Sequence, residues 1–157
     1  MFDEAIKKLE AEMSEIKKAL AQEIPNEINR AAALGDLKEN AEYHAAREKK
    51  RNFEARGAQI VERIKVMRSI DLTKIARDAA GLFSVVTLED LNSGQTVTYE
   101  LVVADLVDVP NGKISIAAPI GKAIMGKRVD DEFKVVLPSG PKEYMITKLQ
   151  TIHDRNI

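Results

Sequence analysis

Apolar residues recur at alternating steps of three and four along the first part of the chain. They occupy one face of a helix and form a coiled-coil type of seam at Phe2, Ile6, Leu9, Met13, Ile16, Leu20, Ile24 and Ile28. Pro25 falls where the steps become uniformly four, and its missing backbone N–H predicts a kink at that point. A full break is the alternative, which is less favoured because Ile24 is a poor N-cap residue.

A second seam with the same periodicity follows a short segment that contains Gly35. Its members are Tyr43, Ala46, Lys50, Phe53, Gly57, Ile60, Ile64 and Met67, of which Lys50 and Gly57 are the weak positions. Gly35 suits the residue just after a helix end. Two amphipathic helices joined by a short turn predict an antiparallel helical hairpin with its tip at residues 34–40.

The rest of the chain has the pattern of strands and turns. β-Branched or alternating runs predict strands at 81–90, 95–105, 113–118, 131–137 and 142–152. Turns are predicted at 91–94 and 138–141, and Pro119 marks the start of a short helix over 119–127. The chain is therefore expected to be an α+β protein, with a helical hairpin followed by a small antiparallel sheet that carries one short helix.

Composition changes near residue 72. Residues 1–72 hold 14 Lys/Arg and 14 Asp/Glu, and the remaining residues hold 10 and 11. Four of the five prolines and six of the eight glycines lie after residue 72. We therefore predict two domains, a hairpin over 1–72 and a sheet domain over 73–157.

Several classes of function are excluded by composition. The chain has no cysteine, which removes disulfide scaffolds, thiol nucleophiles and Cys-ligated metal sites. It has no long apolar run and begins with a charged segment, so we expect a soluble, cytoplasmic protein without a membrane span or signal peptide. The net charge of -1 argues against a general nucleic-acid-binding protein but says nothing about local patches.

Two carboxylates at the hairpin tip have two interpretations. Asp36 and Glu39 are three residues apart, which fits a capping box with Asp36 as the N-cap of the second helix. Alternatively, they form a carboxylate pair that ligates Mg²⁺ together with ligands from another molecule. Two carboxylates alone hold Mg²⁺ weakly, so this second interpretation requires a partner that already has a metal centre.

Basic residues lie just behind the tip. Arg47 and Arg51 share a helix face, and Lys50 lies beside them. They form either the solvated flank of a coiled coil or a basic stripe that follows a phosphate backbone. The two histidines give little indication of a catalytic or metal site. His44 and Glu48 have the spacing of a weak metal-binding pair, and His153 suggests no specific role.

Two segments resemble one protein family, the bacterial Gre transcript-cleavage and elongation factors. GDLKENAEYHAAREK (35–49) is similar to the tip of these factors, closer to the GreA type than to GreB, and PIGKAIMGK (119–127) resembles their P-[IL]-A-x-A-[IL]-[LM]-G-K segment. The order of elements agrees along nearly the whole chain. Departures occur at Phe2 and Ala5, where the family has Thr and Gly, and at Ala117-Ala118, where it has polar residues.

The resemblance implies a coiled-coil hairpin followed by an FKBP-like domain that docks on RNA polymerase, through Pro119 and Ile120 here. The hairpin would enter the secondary channel toward the 3′ end of backtracked nascent RNA. Asp36 and Glu39 would help to hold a Mg²⁺ that belongs mainly to the polymerase, and they would position the attacking water. Arg47 matches a family position associated with the RNA, and local charge extends that assignment to Lys50 and Arg51. The protein, expected to be a monomer, would then stimulate hydrolysis by the polymerase rather than act as an enzyme alone.

Two other functions remain open at this stage. One is a catalytically passive relative that occupies the polymerase channel; inhibitory members of the family alter the acidic tip, whereas Asp36 and Glu39 are both kept here. The other is a chaperone or prolyl isomerase built on the FKBP-like half. The scarcity of aromatic residues in that half, which has Phe83, Tyr99, Phe133 and Tyr144, argues against an aromatic-lined peptide site.

Overall fold

The computed structural model describes residues 1–156 and divides the chain into two compact units. The first unit is Met1–Ile70, and the second begins at Asp71. This boundary lies two residues before the one predicted from composition. In the described part of the chain, no helix is long and apolar enough to cross a bilayer.

The first unit is a helical hairpin, as the two seams predicted. Its first arm consists of α1 (Asp3–Lys18), a π-helical turn (Ala19–Glu23) and α2 (Ile24–Ala32), and its second arm is the single helix α3 (Ala41–Ser69). Both α1 and α2 pack against α3. A bidentate ion pair links the arms, because Arg56 donates from Nε and Nη2 to the Glu12 carboxylate over 2.6 and 2.8 Å.

Pro25 does not break the first arm, and the preceding turn explains why. The backbone N–H of Ile24 donates to the carbonyl of Ala19, five residues earlier, so one extra residue is accommodated just before the proline. Pro25 then occupies the first turn of α2, where a missing N–H costs little. The extra residue also accounts for the seam spacing of four on both sides of Ile24.

The observed seam contains small residues that periodicity alone did not select. Leu9, Ile16 and Ile24 are buried as predicted, and so are the alanines of the first arm at positions 5, 19 and 31. In α3, Gly57 is buried against the first arm, whereas Lys50 is exposed. The prediction that Lys50 belongs to the seam is wrong, because its ammonium group reaches solvent and pairs with Glu54.

The second unit is a five-stranded sheet with one short helix. Its strands are β1 (Val85–Asp90), β2 (Thr96–Val102), β3 (Lys113–Ser115), β4 (Glu132–Leu137) and β5 (Gly140–Gln150), and its α-helix is α4 (Pro119–Ile124). The strand order is β3-β2-β1-β5-β4. Both predicted hairpins are present, between β1 and β2 and between β4 and β5, but the second turn is shorter than the predicted 138–141 because Gly140 and Pro141 already pair with β4.

One strand pair departs from the expected antiparallel sheet. β3 pairs with β2 in parallel, with Glu100 opposite Lys113 and Val102 opposite Ser115. The connection between them contains two 3₁₀ turns, Ala104–Leu106 and Val109–Asn111, which return the chain to the same end of the sheet. Gly112 then adopts a left-handed conformation with a φ of 74°, which places β3 alongside β2.

The core of the second unit lies between the sheet and α4. Its fully buried side chains include Val86, Leu88 and Ile146 from the sheet and Ile124 from α4. Gly121 allows α4 to approach the end of β3 closely, since a Cβ at that position would overlap the carbonyl oxygen of Ser115. Packing of α4 on the sheet thereby fixes where the segment that begins at Pro119 is presented.

Candidate functional site

The hairpin tip is a short loop between Ala32 and Ala41, and Asn40 closes it. The Asn40 side-chain oxygen accepts from the backbone N–H of Tyr43 over 3.0 Å, which makes Asn40 the N-cap of α3. Its Nδ2 donates to the Ala31 carbonyl at the end of α2 over 2.5 Å. One side chain therefore caps the second arm and ties it to the first.

The capping-box interpretation of Asp36 and Glu39 is wrong. Because α3 begins at Ala41, both residues lie in the loop before it rather than at the N-cap and third positions. Gly35 likewise lies beyond the residue that follows the helix end, with a φ of 137°. The strong N-cap preference of asparagine explains the difference, because Asn40 competes for the position that was assigned to Asp36.

Asp36 and Glu39 are consequently available for other contacts. Asp36 accepts a 2.9 Å hydrogen bond at Oδ1 from the backbone N–H of Lys38, and its Oδ2 has no partner among the described residues. Within residues 1–156, the Glu39 carboxylate has no hydrogen-bond or salt-bridge partner. Both side chains are exposed and line the same shallow cavity, together with Leu34, Asn40, Ala41 and Glu42.

His44 holds the other side of this loop. Its Nε2 lies 2.8 Å from the carbonyl oxygen of Lys38. A carbonyl can only accept, so Nε2 must carry the proton. The sequence suggested His44 and Glu48 as a weak metal-binding pair, but the His44 ring instead contacts the loop.

The donor set at the tip fits a shared magnesium ion and not a closed site. Oxygen ligands suit Mg²⁺, which usually takes one or two carboxylates from a protein and completes its shell with waters and other ligands. Asp36 and Glu39 supply that number of carboxylates. In the described residues, no group of three or more Asp, Glu or His side chains is arranged to hold a metal.

The three predicted basic residues lie on α3 behind the tip. Arg47 is exposed and its guanidinium carbon lies 5.7 Å from the centre of the Tyr43 ring, a cation–π contact. Lys50 makes a long, exposed 3.9 Å pair with Glu54, which binds it weakly. Arg51 is exposed as well. The neighbouring Lys49 instead joins the arms through a 2.9 Å ion pair with Glu27.

The predicted docking residues differ in exposure. Pro119 is exposed at the first position of α4, whereas Ile120 is half-buried and packs on the core of the second unit. Pro119 can therefore meet a partner directly. Ile120 anchors α4 on that core.

The aromatic side chains of the second unit are largely used in its interior. Phe83 and Tyr144 are buried, and the Tyr144 ring lies 5.9 Å from that of Phe133. His153, for which the sequence suggested no role, lies with Nε2 2.6 Å from the Ile75 carbonyl and joins the two ends of this unit. These contacts are those of a structural core.

Three tip residues make structural contacts that the sequence did not predict. Asn40 precedes the helix and has a strong N-cap preference, which is a signal that could have identified it. Tyr43 was placed in the seam, yet it also contacts Arg47 through its ring. The bond of His44 to Lys38 had no sequence signal, because it depends on how the loop folds back.

Comparison with known families agrees with this architecture. The family model "Transcription elongation factor, N-terminal" matches residues 1–68, and "Transcription elongation factor, GreA/GreB, C-term" matches residues 75–151. These two matches cover the hairpin and the sheet unit respectively.

Individual relatives match along nearly the whole chain. The transcription elongation factor GreA of Anaeromyxobacter sp. (strain K) is 40% identical over 94% of this chain and 89% of its own. GreA of Sphingopyxis alaskensis is 39% identical over 97% of this chain and 95% of its own. Among solved structures, GreA factor homolog 1 of Thermus thermophilus is 27% identical with a TM-score of 0.43, over 92% of this chain and 94% of that one.

Proposed function

The chain belongs to the GreA/GreB family of transcription elongation factors and is of the GreA type, and on that premise we propose that it stimulates cleavage of nascent RNA by RNA polymerase. It would act on backtracked or arrested complexes, with the hairpin in the secondary channel of the enzyme. Cleavage would be endonucleolytic and would remove the 3′ end of the RNA. The hydrolytic activity belongs to the polymerase in this proposal.

One observation carries the proposal: the two tip carboxylates are exposed, line one cavity and are not used to cap α3. A capping role would have explained the pair without any function. With Asn40 as the cap, Asp36 and Glu39 can direct carboxylate oxygens outward. This arrangement is suited to completing a metal site supplied by a partner.

The role of each acid follows from its free oxygens. Asp36 would contribute Oδ2, because its Oδ1 is bonded to Lys38, and Glu39 would contribute either oxygen. A Mg²⁺ ion held mainly by the polymerase would supply activation of water and stabilisation of charge on the reacting phosphate. The tip acids would orient that water by accepting hydrogen bonds from its O–H groups, which leaves its oxygen lone pair directed at the phosphate.

The basic residues behind the tip would bind the RNA backbone. Arg47, Lys50 and Arg51 are exposed on α3, and none is committed to a strong internal ion pair among the described residues. Phosphate contacts position a nucleic acid without reading its sequence. Cations at this position would also offset repulsion between the acidic tip and the anionic RNA.

The sheet unit would dock on the polymerase through α4, with Pro119 as an exposed contact. Ile120 would keep that helix on the core. The proposal therefore separates binding from chemistry: one unit would provide affinity, and the other would provide the carboxylates.

Cleavage of a defined backtracked complex tests the proposal. RNA labelled at its 5′ end would be followed with the full-length chain and with Asp36→Asn or Glu39→Gln, substitutions that keep side-chain size and remove charge. We expect each to lower the maximal cleavage rate by roughly a hundredfold, with unchanged binding to polymerase. Glu48→Gln, an equal charge change farther along α3, is the matched control and should cleave normally.

Two results would contradict the proposal in different ways. Normal cleavage by both tip variants would remove the metal-supporting role of the carboxylates. Binding by the unmodified protein without any cleavage would identify a passive occupant of the polymerase channel. Melting temperatures of all variants would show whether a loss of activity follows from unfolding instead.

A further inference from the structure

The backbone of Lys38 is held on both sides of its Cα. Its N–H donates to Oδ1 of Asp36 over 2.9 Å, and its carbonyl accepts from Nε2 of His44 over 2.8 Å. Lys38 lies between the two tip acids in sequence, so Asp36 holds the peptide group that precedes its Cα and His44 holds the one that follows it and leads into Glu39. The Asp36 carboxylate is thereby linked to α3 through two hydrogen bonds and the Lys38 backbone between them.

His44 is well placed to transmit the rigidity of α3 to the loop. It lies in the first turn of that helix, whose start is fixed independently by Asn40. Its backbone N–H donates to the Asn40 carbonyl over 3.1 Å, and its ring makes an edge contact with Tyr43 at 5.7 Å. The imidazole is therefore oriented by the helix, and the loop is oriented by the imidazole.

We propose that His44 is a positioning residue, which sets the orientation of the Asp36 and Glu39 carboxylates through its hydrogen bond to the Lys38 carbonyl. The inference rests on the proposed function and adds a residue to it. His44 need not touch RNA, metal or polymerase for this role. Its contribution is to limit the orientations that the acidic loop samples before it meets the polymerase site.

The contact is poorly explained as a stabiliser of the fold. His44 is exposed, and an exposed hydrogen bond that competes with water contributes about 1 kcal/mol or less to folding. The helix already has its cap, and the arms are joined by Asn40 and by ion pairs at Glu27 and Glu12. Precise placement of reacting groups, in contrast, can change rates by orders of magnitude.

The two ring nitrogens suggest variants that isolate this bond. A glutamine side chain can present its amide donor near the position of Nε2, whereas an asparagine amide reaches only about as far as Nδ1. His44→Gln should therefore restore the contact to Lys38, and His44→Asn should not. His44→Leu removes it while keeping an apolar side chain of similar reach.

The experiment measures cleavage of a backtracked complex over a range of factor and Mg²⁺ concentrations. We expect His44→Leu and His44→Asn to lower the maximal rate roughly tenfold and to raise the Mg²⁺ concentration needed for half-maximal cleavage. The factor concentration that gives half-maximal cleavage should stay unchanged. His44→Gln should cleave within about threefold of the unmodified protein, because its amide can replace the Nε2 donor.

His153 offers a matched control for general effects of losing a histidine. Its Nε2 also contacts a backbone carbonyl, that of Ile75, but in the sheet unit. His153→Leu should leave the maximal cleavage rate unchanged at temperatures where the unit is folded. A similar loss of rate in His153→Leu would attribute the effect to stability and overturn the inference.

Amide hydrogen exchange gives a readout that does not depend on cleavage. In the free protein, the Lys38 amide should exchange faster in His44→Leu than in His44→Gln, with exchange along α3 unchanged. Equal exchange in the two variants, or equally deficient cleavage by both, would overturn the positioning role. If Asp36→Asn cleaves normally, the proposed function fails; if only the His44 variants cleave normally, this inference alone fails.

Discussion

Asn40 connects the two arms of the hairpin by donating from Nδ2 to the carbonyl of Ala31, while its Oδ1 caps α3 at the N–H of Tyr43. The Ala31 carbonyl belongs to the last turn of α2, where it accepts from the backbone N–H of Leu34 over 3.1 Å and has a second lone pair for Asn40. The hydrogen bond between Asn40 and Ala31 thus closes the base of the acidic loop, where α2 ends and α3 begins.

Substitutions at Asn40 should separate its two bonds. Asn40→Ser keeps an N-cap oxygen but loses the donor to Ala31, and we expect it to reduce the free energy of unfolding by about 1 kcal/mol. Asn40→Ala loses the cap as well and should cost about 1 kcal/mol more. Chemical unfolding followed by circular dichroism measures both. Equal stability of the serine and alanine variants would contradict the capping role.

Gly57 should be replaceable with a gain in stability. It lies within α3 at ordinary helical φ, and an added Cβ would lie 3.6 Å from Met13 and 3.7 Å from Ile16, which is normal contact. Gly57→Ala should raise the free energy of unfolding of the hairpin by about 0.5–1 kcal/mol through helix propensity. Thermal unfolding checks this, and a lower melting temperature would mean that the arms are packed too closely for a methyl group.

The same substitution at Gly121 should have the opposite effect. A Cβ there would overlap the Ser115 carbonyl oxygen, so α4 would have to move away from the end of β3. We expect Gly121→Ala to cost about 1–3 kcal/mol and to lower the melting temperature of the sheet unit. The family segment carries alanine at this position, so unchanged stability would show that α4 moves with little cost.

The Glu12–Arg56 pair should make the hairpin more stable above pH 4.5 than below it. Hydrogen bonding from Arg56 lowers the pKa of Glu12 from its usual value of 4.5, and partial burial opposes the shift. A carboxyl group whose pKa is lower in the folded state stabilises the fold above the unfolded pKa and loses that contribution as pH falls through the folded pKa. Both side chains are 42% exposed, so the contribution should be below about 1 kcal/mol.

Comparison of Glu12→Gln with the unmodified protein isolates this contribution. Their difference in free energy of unfolding should be largest near neutral pH and should shrink as pH falls below 4.5. Glu15→Gln is a suitable control because it removes a neighbouring exposed carboxylate of the same helix. A difference that does not change with pH would rule out titration of Glu12 as its source.

The exposed cations of α3 should contribute salt-dependent binding of RNA in the backtracked complex. Replacing Arg47 and Arg51 by glutamine should raise the factor concentration needed for half-maximal cleavage at low salt, with a smaller effect at high salt, because counterion release drives such contacts. The matched control replaces Lys17 and Lys18, exposed cations at the end of α1. An equal effect of both double variants would indicate long-range attraction rather than contact behind the tip.

Hydrophobic periodicity predicted the helices of the hairpin, but it did not predict the surroundings of Lys50 and Tyr43. The steps of three and four identified the helices and most of the buried face, since that pattern follows directly from helical geometry. Lys50 fitted the step but not the burial, because its charged end is more stable in water than in the seam. Tyr43 was expected to pack in the seam, yet its half-exposed ring also contacts Arg47.

In the sheet unit too, some features were predictable from the sequence and others were not. Alternating residues and turn signals predicted its strands and both hairpins, because these are local properties. The parallel pairing of β3 with β2 was not predicted, since it depends on how the 3₁₀ turns return the chain. The close approach at Gly121 also lacked a sequence signal, because it joins α4 to the backbone of Ser115.

The sequence by itself determined the two-part architecture, the helical periodicity and the acidic tip with cations behind it, because each of these is written in the order of residue types. Only the tertiary structure decided what the tip acids are free to do. Two residues compete to cap a helix whose start is ambiguous in sequence, and the contact of Asn40 with Ala31 across the turn favours Asn40. Asp36 and Glu39 are thereby left in the loop, where the hydrogen bonds of the Lys38 backbone to Asp36 and His44 hold the segment between them.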